Sequence, residues 1–328
     1  MKILVLALII CVILSVICGY LSIPILRKVK AGQPILHYVK THESKNGTPT
    51  MGGLFFILPS AIIFVVLGGL KSNLSAVVLS IGLAYLIVGF LDDFIKVRFK
   101  KNEGLKAYQK IIFQICIAII AGIYAKNNGF STFYLPFLNG QVKIEGIMLV
   151  IVVSIIFLAI TNSVNLTDGL DGLAGQVSWI YLAFLVVLTY VQREKMSILF
   201  LDTEEYDNLI LLSVCLIGGI LGFLFFNVSK ARVFMGDTGS LSLGGFIGGL
   251  SIFSLNSFFI PLLGIMFVLS SISVIIQVIY FKKTKKRVFL MAPIHHHFQL
   301  KGYTETQIGY AYALITAVCG LLAILQYL

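Results

Sequence analysis

Ten apolar runs divide this chain, at approximately 3–26, 51–70, 74–95, 109–126, 146–163, 173–191, 208–226, 239–255, 259–281 and 307–327. About 20 mostly apolar helical residues cross the hydrocarbon layer of a bilayer. Only helices and closed barrels satisfy every backbone group there. The pattern predicts an all-α polytopic membrane protein of ten transmembrane helices, folded as a single integral membrane domain over 1–328. The balance of residues agrees: 58% are hydrophobic, 12% are charged and the mean hydropathy is +0.98, whereas soluble domains are about 25% charged. The connections are too short to hold a soluble domain. Lys2 and the apolar stretch after it imitate a signal peptide, but no small-residue cleavage site follows, so the first run is expected to stay as a helix.

Basic residues set the orientation of such a chain, because cytoplasmic loops collect Lys and Arg. With ten spans, the segments 27–50, 96–110, 227–238 and 282–306 and the 164–172 loop share one side. They hold nineteen of the twenty-five Lys and Arg residues; the others are Lys2, Lys71, Lys126, Lys143, Arg193 and Lys195. The basic side is therefore expected in the cytoplasm and both termini outside. Such loops also attract anionic headgroups, so the net charge of +11 points to membrane lipid. No separate domain displays the charge, and nucleic acid is excluded as a partner. Oligomeric state is not set by the sequence, and a homodimer stays open.

The five cysteines all lie in apolar runs without metal-ligand spacing and read as small buried hydrophobes. Between 127 and 145, aromatic residues and Asn139-Gly140 predict a small external β-hairpin near 130–145.

The acids carry the functional signal. Only fourteen Asp and Glu occur in the chain, yet Asp92, Asp93, Asp168, Asp171 and Asp237 all fall at span ends on the predicted cytoplasmic side. Ionisable groups at a bilayer are costly and mark functional sites. Adjacent carboxylates such as Asp92 and Asp93 raise each other's pKa, so one can act as a base or both can share a cation. At the end of a helix they would also oppose the macrodipole. In Asn165-Leu166-Thr167-Asp168-Gly169-Leu170-Asp171-Gly172 the two acids would share one helical face, with Asn165 as an N-cap. Asp237 sits between glycines, suited to a hard cation or to an ordinary cap.

Two further segments can meet phosphate. One is Lys45-Asn46-Gly47-Thr48-Pro49-Thr50-Met51-Gly52-Gly53, which lacks the Walker pattern and, taken alone, reads as a cap and turn. The other is Pro293-Ile294-His295-His296-His297-Phe298, whose three histidines cannot face one way on a helix. A zinc site would more usually space its ligands. Carboxylates, lysines and imidazoles without thiolates make equipment for phosphoryl transfer, with Mg²⁺ as the expected cation.

These segments resemble, in order, the phospho-N-acetylmuramoyl-pentapeptide transferases of the polyprenyl-phosphate N-acetylhexosamine-1-phosphate transferase superfamily. The matches are Gly47 to Gly53, Asp92-Asp93 with Lys96, Asn162 to Gly172, Asn227 with Val233 to Leu241, and Pro293 to Phe298. The resemblance implies ten helices with the active site at the cytoplasmic face of the bacterial inner membrane. It implies transfer of phospho-N-acetylmuramoyl-pentapeptide from UDP-N-acetylmuramoyl-pentapeptide to undecaprenyl phosphate, giving lipid I and UMP. Asp92, Asp93 and Asp237 match catalytic positions, Asp92 as proposed base and Asp237 as Mg²⁺ ligand. Lys45, Thr50, Lys96, Lys110, Asn165, Asp168, Gly169, Leu170, Asp171, Asn227, Phe234, His295, His296 and His297 match substrate-binding positions, with Phe234 beneath the uracil. The chain departs from the pattern at Ile35 to Lys40, at Lys230 where Pro is usual, and at Gln299 and Tyr303 where Glu and Trp are more common.

Two other readings remain at this point. A transferase of the same superfamily acting on UDP-N-acetylglucosamine would use the same acids. An ion-coupled transporter would place acids in paired broken helices at mid-membrane, with internal repeats, and neither pattern is legible.

Overall fold

The computed structural model describes residues 1–28, 47–99, 104–138, 140–198, 203–228 and 230–327, without the side chains of 196 and 197. Lys45 and Asn139 lie outside these residues. The chain is mostly helical. Its helices are α1 (Lys2–Lys28), α2 (Leu54–Val66), α3 (Asn73–Phe99), α4 (Ala107–Asn127), α5 (Gly146–Thr167), α6 (Leu173–Ile198), α7 (Glu204–Asn227), α8 (Gly236–Phe253), α9 (Ile260–Leu263), α10 (Ile265–Thr284), α11 (Ile294–Leu300) and α12 (Glu305–Leu325). Two short strands, β1 (Thr132–Tyr134) and β2 (Gln141–Lys143), pair antiparallel with Phe133 opposite Val142. This is the hairpin expected between 130 and 145.

Helix occupies each of the ten apolar runs. Among the described residues, α1, α3, α4, α5, α6, α7, α10 and α12 are long and apolar enough to cross a membrane. The other two runs differ for physical reasons. Helix α2 has 13 residues, roughly 20 Å at 1.5 Å per residue, and gives way to a 3₁₀ turn at Gly69–Lys71. Helix α8 is rich in Gly and Ser, and every residue from Thr238 to Phe253 is buried. A helix enclosed by protein has no need of an apolar surface. The 259–281 run breaks at Gly264 into α9 and α10.

Helix α8 packs between α3 and α5, while α7 gathers α1, α2 and α6. Without a hydrophobic drive between helices in lipid, close packing through small residues takes its place. Helix α3 shows the division of labour. Ile87, Leu91 and Phe94 are exposed on one face. Gly82, Tyr85, Gly89, Asp92 and Asp93 are buried on the other. Gly89 lets the α8 backbone come close: a side chain there would strike the Asp237 carbonyl group.

Helix direction then sorts the polar groups. The C-terminal part of α3, the N-terminus of α4, the C-terminus of α5 and the N-terminus of α8 meet at one end of the bundle. The β1–β2 hairpin, between the C-terminus of α4 and the N-terminus of α5, lies at the other.

Candidate active site

Asp92, Asp93 and Asp237 meet at that first end. Each offers one carboxylate oxygen, and the three lie within 4.8 Å of one another. Asp92 and Asp93 are buried and Asp237 is half-buried. Helix α3 runs on to Phe99, with Lys96 and Arg98 in its last turn. Asp92 and Asp93 therefore sit inside the helix, and the unfavourable C-terminal placement expected from the sequence does not hold. Burial is what makes these acids costly. Asp237 is the second residue of α8, after Met235 as N-cap, where the helix dipole favours a negative charge.

Two lysines hold the acids together. The Lys96 ammonium lies 2.5 Å from Asp92 Oδ2 and 3.0 Å from Asp237 Oδ2, with Asp93 Oδ1 at 3.9 Å. Lys110, from the first turn of α4, donates to Asp237 Oδ2 at 2.9 Å. Asn165 Nδ2 donates to Asp237 Oδ1 at 2.6 Å and to Ser240 Oγ at 2.8 Å. Asp93 Oδ2 accepts the Thr238 N–H and hydroxyl at 3.0 and 2.7 Å. Asp92 Oδ1 accepts the Leu105 N–H at 2.9 Å. Removing one partner of such a buried set strands the remaining charge, at a cost of about 3–5 kcal/mol.

The donor set suits a hard cation. Three carboxylates against two ammoniums leave a net negative charge. Among the described residues, Asp93 Oδ1 is buried without a hydrogen bond, and so is the Thr50 hydroxyl. The Thr50 hydroxyl and the other Asp93 oxygen, Oδ2, close on Gly236, where φ is +72° and a side chain would meet both. An acidic cluster of this composition can bind a metal ion.

A second wall stands beside it. The 47–53 segment is more than a cap: Phe234 N–H donates to Pro49 O at 2.8 Å, Gly52 N–H to Phe234 O at 2.9 Å and Gly53 N–H to Met235 O at 3.1 Å. These bonds pin the backbone of Phe234 from both sides and leave its ring half-buried. Asn165 is no N-cap; it lies in the last turn of α5 and points at Asp237. Asp168 and Asp171 are not on a helical face either. They occupy the turn between α5 and α6, with Asp168 as the C-cap of α5. Asp171 Oδ2 accepts the Ala231 N–H at 2.9 Å, and Asn227 Oδ1 accepts the Gly172 N–H at 3.0 Å. Burial, with Asp237, Asp93 and Asp171 adding to it, holds the Asp168 carboxyl well above the usual carboxylate range.

The histidines close the turn from the other side. His295 and His296 pack on Gly169, their ring centroids 4.4 Å apart. They do not face one way: His295 is buried, while His296 and His297 are half-buried. His297 Nδ1 accepts the Leu290 N–H at 3.1 Å. Burial, and secondarily His296, pushes the His295 imidazole down to about 3, so it is neutral at pH 7. Neither of its ring nitrogens has a hydrogen-bond partner among the described residues.

The sequence reading thus named the acids, Thr50, Lys96, Lys110, Asn165, the 168–171 turn, Asn227, Phe234 and the histidines, and all stand around this end of the bundle. It gave no role to Thr238, Ser240, Leu105 or Glu305. Thr238 follows Asp237 directly and could have been flagged as a hydroxyl in the same motif. Leu105 acts through its backbone, which no side-chain pattern reveals.

Buried carboxylates tied to lysines at one end of a bundle of apolar helices suit the transferase class, with charge to place around phosphates, and the comparisons point to a transferase. Residues 75–255 match the model of glycosyl transferase family 4, and residues 45–57 match signature 1 of the phospho-N-acetylmuramoyl-pentapeptide-transferases. The Thermoanaerobacter sp. (strain X514) enzyme of that name is 41% identical over 96% of this chain and 95% of its own length. That of Clostridium perfringens (strain 13 / Type A) is 40% identical over 96% and 95%. That of Clostridium beijerinckii is 38% identical over 93% and 90%. The chain belongs to the phospho-N-acetylmuramoyl-pentapeptide-transferase family.

Proposed function

We propose that this protein transfers phospho-N-acetylmuramoyl-pentapeptide from its UDP derivative to undecaprenyl phosphate, giving lipid I and UMP, at the cytoplasmic face of the bacterial inner membrane. The observation that supports it best is the meeting of Asp92, Asp93 and Asp237 with Lys96 and Lys110. Phosphoryl transfer needs little covalent chemistry from the protein; it needs positioning and charge neutralisation.

An oxygen of the lipid phosphate attacks the sugar-linked phosphorus, and the bond from that phosphorus to the UMP oxygen breaks. Asp92 takes the proton from the lipid phosphate. Lys96 and Lys110 neutralise charge on the transferring group. Asp237, with Asp93 beside it, would hold Mg²⁺, which when bound supplies charge stabilisation at the phosphates. Thr238 fixes Asp93 by two hydrogen bonds, and Asn165 fixes Asp237.

Phe234 offers a ring face to uracil, Asn165, the Asp168–Asp171 turn and Lys45 are assigned to the nucleoside, and Asn227 supports that turn through the Gly172 N–H. His295 and His296, packed on Gly169, stand nearest the turn and are assigned to the sugar phosphate, His295 as a neutral donor. Ten membrane crossings, with both termini outside, complete the reading: α8 enters the bilayer enclosed by longer helices, and α2 enters it beside α1 and α7 with Leu58, Ile62 and Val66 exposed on its outer face.

The test is UMP release by the purified protein given UDP-N-acetylmuramoyl-pentapeptide, undecaprenyl phosphate and Mg²⁺. Dependence on all three is expected. Faster turnover with UDP-N-acetylglucosamine as donor would contradict the assigned substrate and keep the chemistry.

A further inference from the structure

The geometry points to Glu305 as a positioning residue that holds the Asp168–Gly172 turn in its nucleotide-binding shape. The inference rests on the reading that this turn contacts the uridine nucleotide.

The turn has little regular structure of its own, so its shape must come from outside. Its N-terminal side is continuous with α5, through Asp168 N–H to Val164 O and Asn165 O. Its C-terminal side is fixed by side chains. Asn227 takes the Gly172 N–H, and the Asp171 carboxylate takes the Ala231 N–H. A further tie comes from α12: Glu305 Oε2 accepts the Asp171 N–H at 3.0 Å. An ionised acceptor on a backbone N–H makes a stronger bond than a neutral one.

Glu305 is itself well held. It is the first residue of α12, just after Thr304, whose side chain caps the helix by accepting Gln307 N–H at 3.2 Å while Gln307 Oε1 accepts the Thr304 N–H at 2.9 Å. A negative charge in the first turn of a 21-residue helix is favoured by the dipole. Glu305 Oε1 also receives Gln299 Nε2, at 3.4 Å, from α11. The same carboxylate therefore joins the helix that carries the histidines to the turn on which His295 and His296 pack. Loss of Glu305 would free the turn between Asp168 and Gly172 while leaving the acidic cluster untouched, because none of the contacts of Asp92, Asp93 or Asp237 described above involves α12.

The test compares Glu305→Leu, Glu305→Ser and Glu305→Gln in the full-length protein, with Asp168→Asn as the reference for the turn. UMP affinity is read by calorimetry, the Michaelis constants of both substrates by UMP release, and folding by the melting temperature. Leu and Ser remove the acceptor, and both are expected to raise the nucleotide KM and the UMP Kd by about tenfold, the scale of one charge-assisted hydrogen bond. The lipid KM and the melting temperature should hardly move. Gln keeps an oxygen for the Asp171 N–H and should restore most of the affinity. If Asp168→Asn weakens UMP binding while Glu305→Ser does not, the assignment of Glu305 is overturned. A fall in melting temperature or in kcat without a change in nucleotide affinity would likewise reduce Glu305 to a cap of α12. If neither Asp168→Asn nor the Glu305 variants change UMP affinity, the nucleotide reading of the turn itself fails.

Discussion

The two ends of the bundle use the same side chains to different effect. At one end Lys96 lies among Asp92, Asp93 and Asp237, with side-chain exposures of 17%, 4%, 0% and 16%. At the hairpin end Lys143 pairs with Glu145 at 67% and 64% exposure. Both are lysine–carboxylate contacts at 2.5 Å. An exposed pair is screened by water and is worth about 0–1 kcal/mol. A buried set has paid for desolvation and strands a charge when one member is lost. Ion pairing as such therefore marks no site; burial of several like charges around shared cations does.

Four variants press on this difference, in falling order of expected effect. Asp237→Asn removes the acid that both lysines and Asn165 hold. It is expected to cost several kcal/mol of transition-state stabilisation, about 100-fold or more in turnover, and to lower the melting temperature as well, because Lys96 and Lys110 lose their shared carboxylate. Near-normal turnover at saturating Mg²⁺ would remove Asp237 from the chemistry.

Asp92→Asn separates base from scaffold. If Asp92 takes a proton from the lipid phosphate, the loss in rate shrinks as pH rises, since solvent then removes that proton. A loss equal at all pH values would make Asp92 a structural partner of Lys96. Trapping a phosphosugar covalently on Asp92 or Asp237 would contradict direct attack by the lipid.

Phe234→Ala keeps the backbone bonds to Pro49 and Gly52 and removes only the ring. Stacking on an aromatic face is worth about 1–3 kcal/mol per base, so the nucleotide KM should rise roughly 5- to 150-fold while the lipid KM stays put. Equal effects on both substrates would mean that Phe234 merely packs the junction. At the bottom of the scale, Lys143→Gln with Glu145→Gln should leave turnover unchanged and stability within about 1 kcal/mol. A large loss there would erase the contrast between the two ends.

What could be read in advance follows the same line. Ten apolar runs, the hairpin and the acids at span ends were legible because each depends on residue type within a short window. Asn165 was misjudged as an N-cap because its role comes from α8, 72 residues away. The 47–53 segment looked like a plain turn because its partners are backbone atoms of Phe234 and Met235. Asp92 and Asp93 escape the unfavourable end of the helix dipole because α3 continues past the apolar run to Phe99; Lys96 and Arg98 close a helix that hydropathy alone ends earlier. Glu305 was invisible, since a single acid after a Thr reads as a helix cap and its bond is to the Asp171 backbone.

The central claim is that the acidic end carries the reaction and faces the cytosol, where a charged nucleotide sugar that cannot cross lipid unaided must arrive. Sealed vesicles of opposite orientation test it directly, with UDP-N-acetylmuramoyl-pentapeptide added outside and UMP release measured. Release is expected from inside-out vesicles and only on permeabilisation from right-side-out ones. Equal release from intact right-side-out vesicles would contradict it.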